Sequence, residues 1–185
     1  MLETERLRLR QWQDSDVEPY IRLNSNPVVM RYFPSVMTEE ETRAQIGRAK
    51  AYIENNGWGF WALELKETGE FLGFVGLLGQ DEQREIPNTP FVEIGWRLDE
   101  QHWGKGYAPE AAQAALDFAF NQLDLSEVYS FTALPNHPSQ RVMEKIGMVN
   151  TKQDFDHPKL DKGHELERHC LYRITQQQWR GSSEL

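Results

Sequence analysis

Residues 101–111 contain the spacing best suited to chemistry, because Gly104 and Gly106 stand directly before a helix with a regular apolar face. Glycine lacks a side chain, so the backbone of such a turn can approach a ligand closely. The first N–H groups of the helix have no intrahelical partner, and the helix dipole places a partial positive charge at the same end. Together with the strand expected at 91–98, this stretch predicts a site for an anionic group such as a pyrophosphate.

Three phosphate-binding motifs can be compared with this stretch. A dinucleotide fingerprint requires a third glycine where Pro109 stands, and it usually lies near the start of its domain. A P-loop requires Ser or Thr directly after its Gly-Lys pair, and here Gly106 follows Lys105. The acyl-CoA motif, Gln/Arg-x-x-Gly-x-Gly/Ala, is matched by Gln101, Gly104 and Gly106. A plain tight turn before a helix stays open as an alternative.

The elements that would position this turn follow from apolar periodicity, capping residues and breakers. They are strands around 6–10, 58–66, 70–78, 91–98, 128–134 and 166–174 with a weaker strand region from Met148, helices around 17–23, 39–55, 108–120 and 140–146, the last capped by Ser139, and helical turns at 28–33 and 175–179. Polar loops are expected at 80–90 and 154–163. We therefore predict an α/β (α+β) fold with a mixed, mostly antiparallel sheet of about seven strands flanked by helices. Residues 1–180 would form a single domain and residues 181–185 a tail.

The composition of the 185-residue chain argues against several classes of protein. A net charge of −9 and a pI near 5.1 disfavour nucleic acid and anionic membrane surfaces as partners. No apolar run is long enough to span a bilayer, and the charged residues 1–6 lack a signal region. Cys170 is the single cysteine, so an intrachain disulfide is impossible and a cytoplasmic location is expected.

Several motifs, in the same order, resemble the GNAT superfamily of acyl-CoA N-acetyltransferases. They occupy residues 3–10, 26–32, 103–111, 136–139 and 141–148, and the likeness extends over nearly the whole chain. The narrower resemblance is to the RimJ/RimL-like branch, whose founding members acetylate the N-termini of ribosomal proteins. It implies acetyl-CoA as donor, and a protein N-terminus or a small-molecule amine as acceptor. It also implies direct transfer in a ternary complex, by a monomer or a homodimer.

The resemblance further implies that the donor lies where strands 91–98 and 128–134 splay apart. Backbone groups at 96–98 would pair with the pantetheine arm as if it were an added strand, and backbone N–H groups at 104–108 would hold the pyrophosphate. Asn136 would bond the pantetheine or the substrate region, although an ordinary turn asparagine is the alternative. The implied donor-binding residues are Trp96, Arg97, Leu98, Gly104, Lys105, Gly106, Tyr107, Ala108, Asn136 and Ser139.

Transfer to an amine needs a base that deprotonates the ammonium and a hydrogen-bond donor for the oxyanion. Glu93 is the best candidate base, because a carboxylate buried in an apolar strand has a raised pKa. A solvent-facing or arginine-paired glutamate is the alternative, and the base could also act through a chain of waters. Ser139, by resemblance, would protonate the leaving thiolate, a role that many relatives give to a tyrosine.

Other chemistry-bearing residues lie elsewhere in the chain. His157, His164 and His169 accompany acidic residues, but their spacing fits no zinc pattern, so we predict no metal site and leave a role towards the substrate open. Cys170 has no designated base and is not predicted to be a nucleophile. Phe33 is one of several aromatic residues that could line an acceptor pocket or belong to the core. The alternative function is a non-catalytic acyl-CoA-binding or sensing domain without proton-transfer groups.

Overall fold

The computed structural model of the chain describes residues 1–183, which contain nine strands and five α-helices. The strands are β1 (Leu2–Glu3), β2 (Leu7–Arg10), β3 (Phe60–Leu65), β4 (Phe71–Gln80), β5 (Phe91–Leu98), β6 (Glu127–Ala133), β7 (Val149–Asn150), β8 (Phe155–Asp156) and β9 (Arg168–Thr175). The helices are α1 (Val17–Ser25), α2 (Glu39–Asn56), α3 (Tyr107–Asn121), α4 (His137–Lys145) and α5 (Gln176–Ser183). The predicted mixed fold class is confirmed. The strand count exceeds the expected seven by two because β1 and β8, of two residues each, were not expected.

The strands are hydrogen-bonded in the order β1-β2-β3-β4-β5-β6-β9-β7, and β8 also pairs with β9. The registers of β1 with β2, β2 with β3, β3 with β4, and β6, β7 and β8 with β9 are antiparallel. By contrast, β5 and β6 run parallel, with Glu93 opposite Tyr129. One residue further along, the Ser130 hydroxyl donates to the Ile94 carbonyl at 2.9 Å. So short a parallel pairing agrees with two strands that separate. None of the helices within residues 1–183 is long and apolar enough to cross a membrane.

Contacts divide the described chain into two compact units. The first consists of Met1–Leu77 and Gly95–Ala115, and the second of Leu78–Ile94 with the described residues from Leu116 onward. Strands β4 and β5 and helix α3 contribute residues to both units. The single domain expected over residues 1–180 stays a prediction. Of the expected tail, residues 181–183 lie in α5 and residues 184–185 are outside the described residues.

The first unit packs α1 and α2 on an aromatic-rich apolar cluster. Its buried members are Trp12, Tyr20, Leu23, Val29, Met30, Ile46, Ala62 and Phe74. A capping box starts α2, because Thr38 Oγ1 accepts from the Glu41 amide at 3.1 Å and the Glu41 carboxylate accepts from the Thr38 amide at 3.0 Å. Gly57, with φ at 81°, ends the helix. The start and stop predicted for this helix are confirmed.

The second unit is built on β6 and β9, with α4 after β6. Asn136, and not Ser139, caps α4, since Asn136 Oδ1 accepts from the Ser139 amide at 3.2 Å. The prediction that Ser139 caps a helix at 140–146 is therefore wrong. The helix starts three residues earlier because Pro138 is suited to the first helical turn and an asparagine stands ready to cap it. Ser139 is thus a residue of the first turn of α4.

Candidate active site

The glycine turn lies in the first unit, directly before α3. Gly104 and Gly106 have φ angles of 73° and 79°, a left-handed conformation that other residues rarely adopt. A Cβ at Gly104 would meet no atom within 4 Å, so the space beside the turn is open. The N–H groups of Tyr107 and Ala108 stand in the first turn of α3, where no intrahelical acceptor exists. The turn can therefore present several amides to an anion, as the sequence predicts.

Arg6 holds this turn in place. Its Nη1 donates to the Lys105 carbonyl at 2.9 Å, and its guanidinium carbon lies 4.5 Å from the centre of the Tyr107 ring. Glu110 in α3 accepts from Arg6 Nε at 2.8 Å and also from the Arg6 amide and the Thr4 hydroxyl. Burial alone would raise the pKa of Glu110, but hydrogen bonds from Thr4 and Arg6 outweigh it and lower that pKa. The start of α3 is thereby tied to the residues that precede β2.

The end of β5, where the pantetheine was expected, is closely packed. A Cβ at Gly73 would lie 2.0 Å from the Arg97 carbonyl oxygen, so only glycine allows β4 to approach β5 this closely. The Leu98 carbonyl accepts from the indole N–H of Trp103 at 2.9 Å. Trp96 and Arg97 are half-buried and Leu98 is buried. One lone pair of the Leu98 carbonyl is thus occupied by the indole of Trp103.

Glu93, the candidate base, lies half-buried on β5 in the second unit. Burial raises its pKa to about 7, against the opposing effects of a hydrogen bond from Gln80 and the charges of Arg84 and Lys159. This direction agrees with the rise expected for a buried carboxylate, and the role of Glu93 as a base stays a prediction. No arginine within residues 1–183 forms an ion pair with Glu93; its hydrogen-bond partner is Gln80 Nε2, at 2.6 Å. A carboxylate in this state can take up a proton near neutral pH.

Asn136 and Ser139 lie together at the start of α4. Asn136 is buried, and besides capping the helix it donates from Nδ2 to Thr132 Oγ1 at 2.9 Å. A side-chain amide has two N–H donors and two acceptor lone pairs, so one of each remains. The Ser139 hydroxyl makes no hydrogen bond to any other residue of the range 1–183, and its side chain is half-buried. Both residues could therefore still bond a ligand, and their roles towards the donor stay predictions.

The structure brings two of the three histidines together. The rings of His157 and His169 lie 4.9 Å apart, next to Phe131 and Phe155. Burial, aided by the neighbouring His169 and Lys159, lowers the pKa of His157 to about 4. Burial also lowers the pKa of His169.

The remaining polar residues singled out from the sequence have local roles. His164 accepts from the Leu166 amide at 3.0 Å within its own loop. In the part of the chain that the structure describes, no group of three or more His, Cys, Asp or Glu residues could hold a metal ion. Cys170 is buried, and burial raises the pKa of its thiol to about 11, which makes it a poor nucleophile.

Two functional residues were missed from the sequence. Gln80 was assigned to the loop at 80–90, whereas β4 extends to it and its side chain is buried. A polar residue that closes a long apolar run was the available signal. Arg6 belongs to the motif at 3–10, but its partner Glu110 lies 104 positions away. Nothing in local periodicity connects such distant residues.

Comparisons with known proteins agree with this geometry. The family model described as acetyltransferase (GNAT) domain matches residues 6–149. The chain is 38% identical over 152 residues to the uncharacterized protein YkkB of Bacillus subtilis strain 168, covering 82% of this chain and 86% of that protein. It is 30% identical over 187 residues to the uncharacterized N-acetyltransferase YnaD of the same strain, covering 96% and 98%. A crystal structure of a GNAT-family acetyltransferase from Bacillus anthracis matches with a TM-score of 0.77 at 30% identity, covering 95% and 98%.

Proposed function

The chain belongs to the GNAT acetyltransferase family, and we propose that it transfers the acetyl group of acetyl-CoA to a primary amine by direct transfer in a ternary complex. The chain is an N-acetyltransferase, and acetyl-CoA is the donor that this domain uses. The acceptor is a protein N-terminus or a small-molecule amine. Membership of the RimJ/RimL-like branch is part of the proposal and is supported by the motifs at 3–10, 26–32 and 103–111.

The state of Glu93 is the observation that carries the proposal. An amine with an ordinary pKa is largely protonated at neutral pH and must lose a proton before it can attack. With a pKa of about 7, Glu93 is ionised in about half of the molecules at neutral pH and can accept that proton on its carboxylate. A domain that only binds acyl-CoA has no need for such a group, so the non-catalytic alternative is not favoured.

The glycine turn supports acetyl-CoA as donor. Left-handed glycines, open space beside Gly104 and first-turn amides of α3 suit the pyrophosphate, and Lys105 is exposed next to them. Acetyl-CoA supplies an activated acetyl thioester when bound. We assign the pyrophosphate to backbone N–H groups from Gly104 to Ala108, and the pantetheine to the backbone of Trp96 to Leu98.

Three groups would handle protons and charge during transfer. Glu93 takes the proton from the acceptor ammonium, and a backbone N–H of β5 donates to the oxyanion. The Ser139 hydroxyl, which has no hydrogen-bond partner among residues 1–183, gives its proton to the departing thiolate and regains one from the attacking nitrogen as the amide forms. Asn136 uses its remaining amide hydrogen to orient the ligand beside Ser139. Cys170 plays no part, because its thiol is buried and protonated.

We also propose where the protein acts, which partners it lacks and in which oligomeric state it is active. A cytoplasmic location is supported by the single cysteine, and the charge of −9 speaks against nucleic acid and anionic membranes as partners. The active form is a monomer or a homodimer.

Thiol release from acetyl-CoA tests the proposal, with an acceptor panel of polyamines, amino acids and short peptides and with mass spectrometry of the products. We expect acceptor-dependent release, N-acetylated product and intersecting initial-rate lines, which indicate a ternary complex. Cys170→Ala should retain full activity. Tight acetyl-CoA binding without transfer to any amine would instead support the non-catalytic alternative, and a stable acetyl-enzyme formed without acceptor would exclude direct transfer.

A further inference from the structure

The guanidinium of Arg97 is held in the first unit by neutral groups. Its Nη1 donates to Asn24 Oδ1 at 2.9 Å, and the same nitrogen lies 3.4 Å from the Tyr20 hydroxyl oxygen and 3.6 Å from Met37 Sδ. Asn24 is itself buried in α1. These contacts fix one corner of the guanidinium but neutralise none of its charge.

Two phenylalanine rings flank the same group. The guanidinium carbon lies 4.6 Å from the centre of the Phe33 ring and 5.5 Å from that of Phe74. Phe74 is 6% exposed, whereas Phe33 is 40% exposed. The Arg97 side chain therefore stands where a buried wall meets the surface, and Nη2, which forms no hydrogen bond within residues 1–183 and is not among the buried atoms, is the end of the group that a ligand can reach. The rings hold the plane of the guanidinium without giving it a counter-ion.

Arg97 lacks a counter-ion among the described residues although it is half-buried and the chain has 29 acidic residues against 20 Lys and Arg. No Asp or Glu among residues 1–183 forms an ion pair with Arg97. Arg10, a buried arginine of the same unit, makes a bidentate pair with Asp16 at 2.8 and 2.9 Å. The fold thus neutralises Arg10 with a carboxylate of its own. At Arg97, a carboxylate would have to come from a bound ligand.

One edge of the Arg97 guanidinium has no hydrogen-bond partner within residues 1–183 and could bind such a carboxylate. The hydrogen bonds of this side chain all start from Nη1, and Nε is buried without any partner. Nε and Nη2 share an edge that binds a carboxylate through two parallel N–H···O bonds. A buried N–H of a charged group without an acceptor is unfavourable, and a bound carboxylate would relieve that penalty.

We propose that the Nε–Nη2 edge of Arg97 binds a carboxylate of the acceptor, so that the preferred acceptors are amines that carry a carboxylate, such as amino acids or acidic peptides. The inference rests on the proposed function and narrows its acceptor class. Polyamines and simple monoamines would be poor acceptors. The anionic groups of the donor are assigned to the glycine turn, and α1 anchors the Arg97 side chain through Tyr20 and Asn24.

Matched acceptor pairs that differ only by the carboxylate test the inference. Suitable pairs are phenylalanine with phenethylamine, leucine with isoamylamine, and lysine with cadaverine. We expect wild-type kcat/KM to favour the carboxylate member by roughly 10- to 100-fold, the range for a charge-assisted, bidentate contact. Arg97→Gln should abolish that preference. Arg97→Lys should keep part of it, because it retains the charge without the planar fork. Arg22→Gln, at an exposed arginine on α1, is the charge-matched control and should change nothing.

Asn24→Asp supplies a second test that keeps Arg97. It places a carboxylate next to Nη1 and should weaken the preference while leaving the decarboxylated acceptors unaffected. Equal losses for both members of each pair would show that Arg97 only supports the fold, and a loss confined to acetyl-CoA affinity would assign it to the donor. Either result would overturn the inference and leave the proposed function standing. Acetyl-CoA binding without transfer to either member of any pair would overturn both.

Discussion

Gln80 Nε2 and Glu93 Oε2 are joined by a hydrogen bond of 2.6 Å, so the hydrogen-bond partner of the candidate base is a neutral amide. Burial drives the pKa of Glu93 upward to about 7, and the amide limits the rise because it favours the ionised form. An arginine in place of Gln80 would pull the pKa far lower and leave a weak base. In the proposed reaction, the pair would therefore set the pH range in which the site works.

Replacing Glu93 by glutamine should abolish most of the activity. Loss of a positioned general base lowers kcat by about 100- to 10,000-fold. In the wild type, kcat/KM should rise with pH and level off above about 7, because only ionised Glu93 accepts a proton. Stopped assays across pH 5–9 measure both effects, and Glu82→Gln, at an exposed glutamate, is the control. A Glu93→Gln enzyme with near-normal rates and the same acidic limb would place the base elsewhere.

Replacing Gln80 by leucine should move the acidic limb of the pH profile to higher pH. The lost hydrogen bond favoured the charged carboxylate, so its removal raises the pKa of Glu93 further. A shift of about one to two pH units is expected, since a hydrogen bond to a charged group is worth about 1.5–3 kcal/mol and one unit corresponds to about 1.4 kcal/mol. Gln83→Leu, at an exposed glutamine, should leave the profile unchanged. An acidic limb at the same pH as in the wild type would show that Gln80 does not influence the pKa of the base.

Glu93→Gln should also stabilise the folded protein above neutral pH. The pKa of Glu93 is raised from 4.5 to about 7 on folding, so stability is lost as the pH rises through that interval. Glutamine stays neutral, and the free energy of unfolding at pH 8 should exceed the wild-type value by about 1–3 kcal/mol. Near pH 4.5 the two proteins should unfold alike. Denaturant titrations at both pH values measure the difference, and a variant that is less stable at pH 8 would contradict it.

Much of the fold followed from short-range patterns, and the errors arose at element ends, where a local pattern allows more than one assignment. The capping box of α2 and the apolar stripe of α3 depend on residues within a few positions of one another, so both were predictable. The cap of α4 was misassigned because Asn136 and Ser139 are both good capping residues, and only the actual start of the helix decides between them. Likewise, Gln80 faces Glu93 because β4 continues one residue into the expected loop.

Only part of the glycine turn could be predicted from the sequence. The spacing of Gly104 and Gly106 before a helix indicated an anion site. Their support by Arg6 could not be foreseen, because the ion pair between Arg6 and Glu110 depends on how β2 and α3 pack. The Arg97 environment is of the same kind, since its neighbours Asn24 and Phe33 come from distant segments.

Replacing Gly104 by valine should abolish acetyl-CoA binding. A β-branched residue is strained at a φ of 73°, and its methyl groups would fill the open space beside the turn. We expect calorimetry to give a dissociation constant at least roughly 100-fold higher, as for the loss of several charge-assisted hydrogen bonds. Gly57→Val, at the end of α2 with a φ of 81°, is the control, because it imposes similar backbone strain far from the turn in sequence. It should bind acetyl-CoA normally. Unchanged affinity in a folded Gly104→Val protein would refute the pyrophosphate assignment.

Replacing Arg6 by methionine should weaken acetyl-CoA binding without slowing transfer from the bound donor. The side chain holds the Lys105 carbonyl at 2.9 Å and covers the Tyr107 ring, and methionine keeps only part of that packing. A loose turn must be ordered on binding, so the dissociation constant should rise by about 10-fold, the effect of about 1.4 kcal/mol. Because Arg6 handles no proton in the proposed reaction, kcat at saturating acetyl-CoA should stay near the wild-type value.

Arg8→Met provides the matched control for Arg6→Met. Arg8 lies on β2 and pairs with Glu3 and Glu64 at 3.4 and 3.6 Å, but it has no contact with the glycine turn in the described residues. The two variants should lose comparable ion-pair energy, and only Arg6→Met should bind acetyl-CoA less tightly. Calorimetry on both proteins, with melting temperatures as a check on folding, separates the effects. Equal affinities would mean that the turn holds its shape alone, and a fall in kcat for Arg6→Met would place Arg6 in the chemical step.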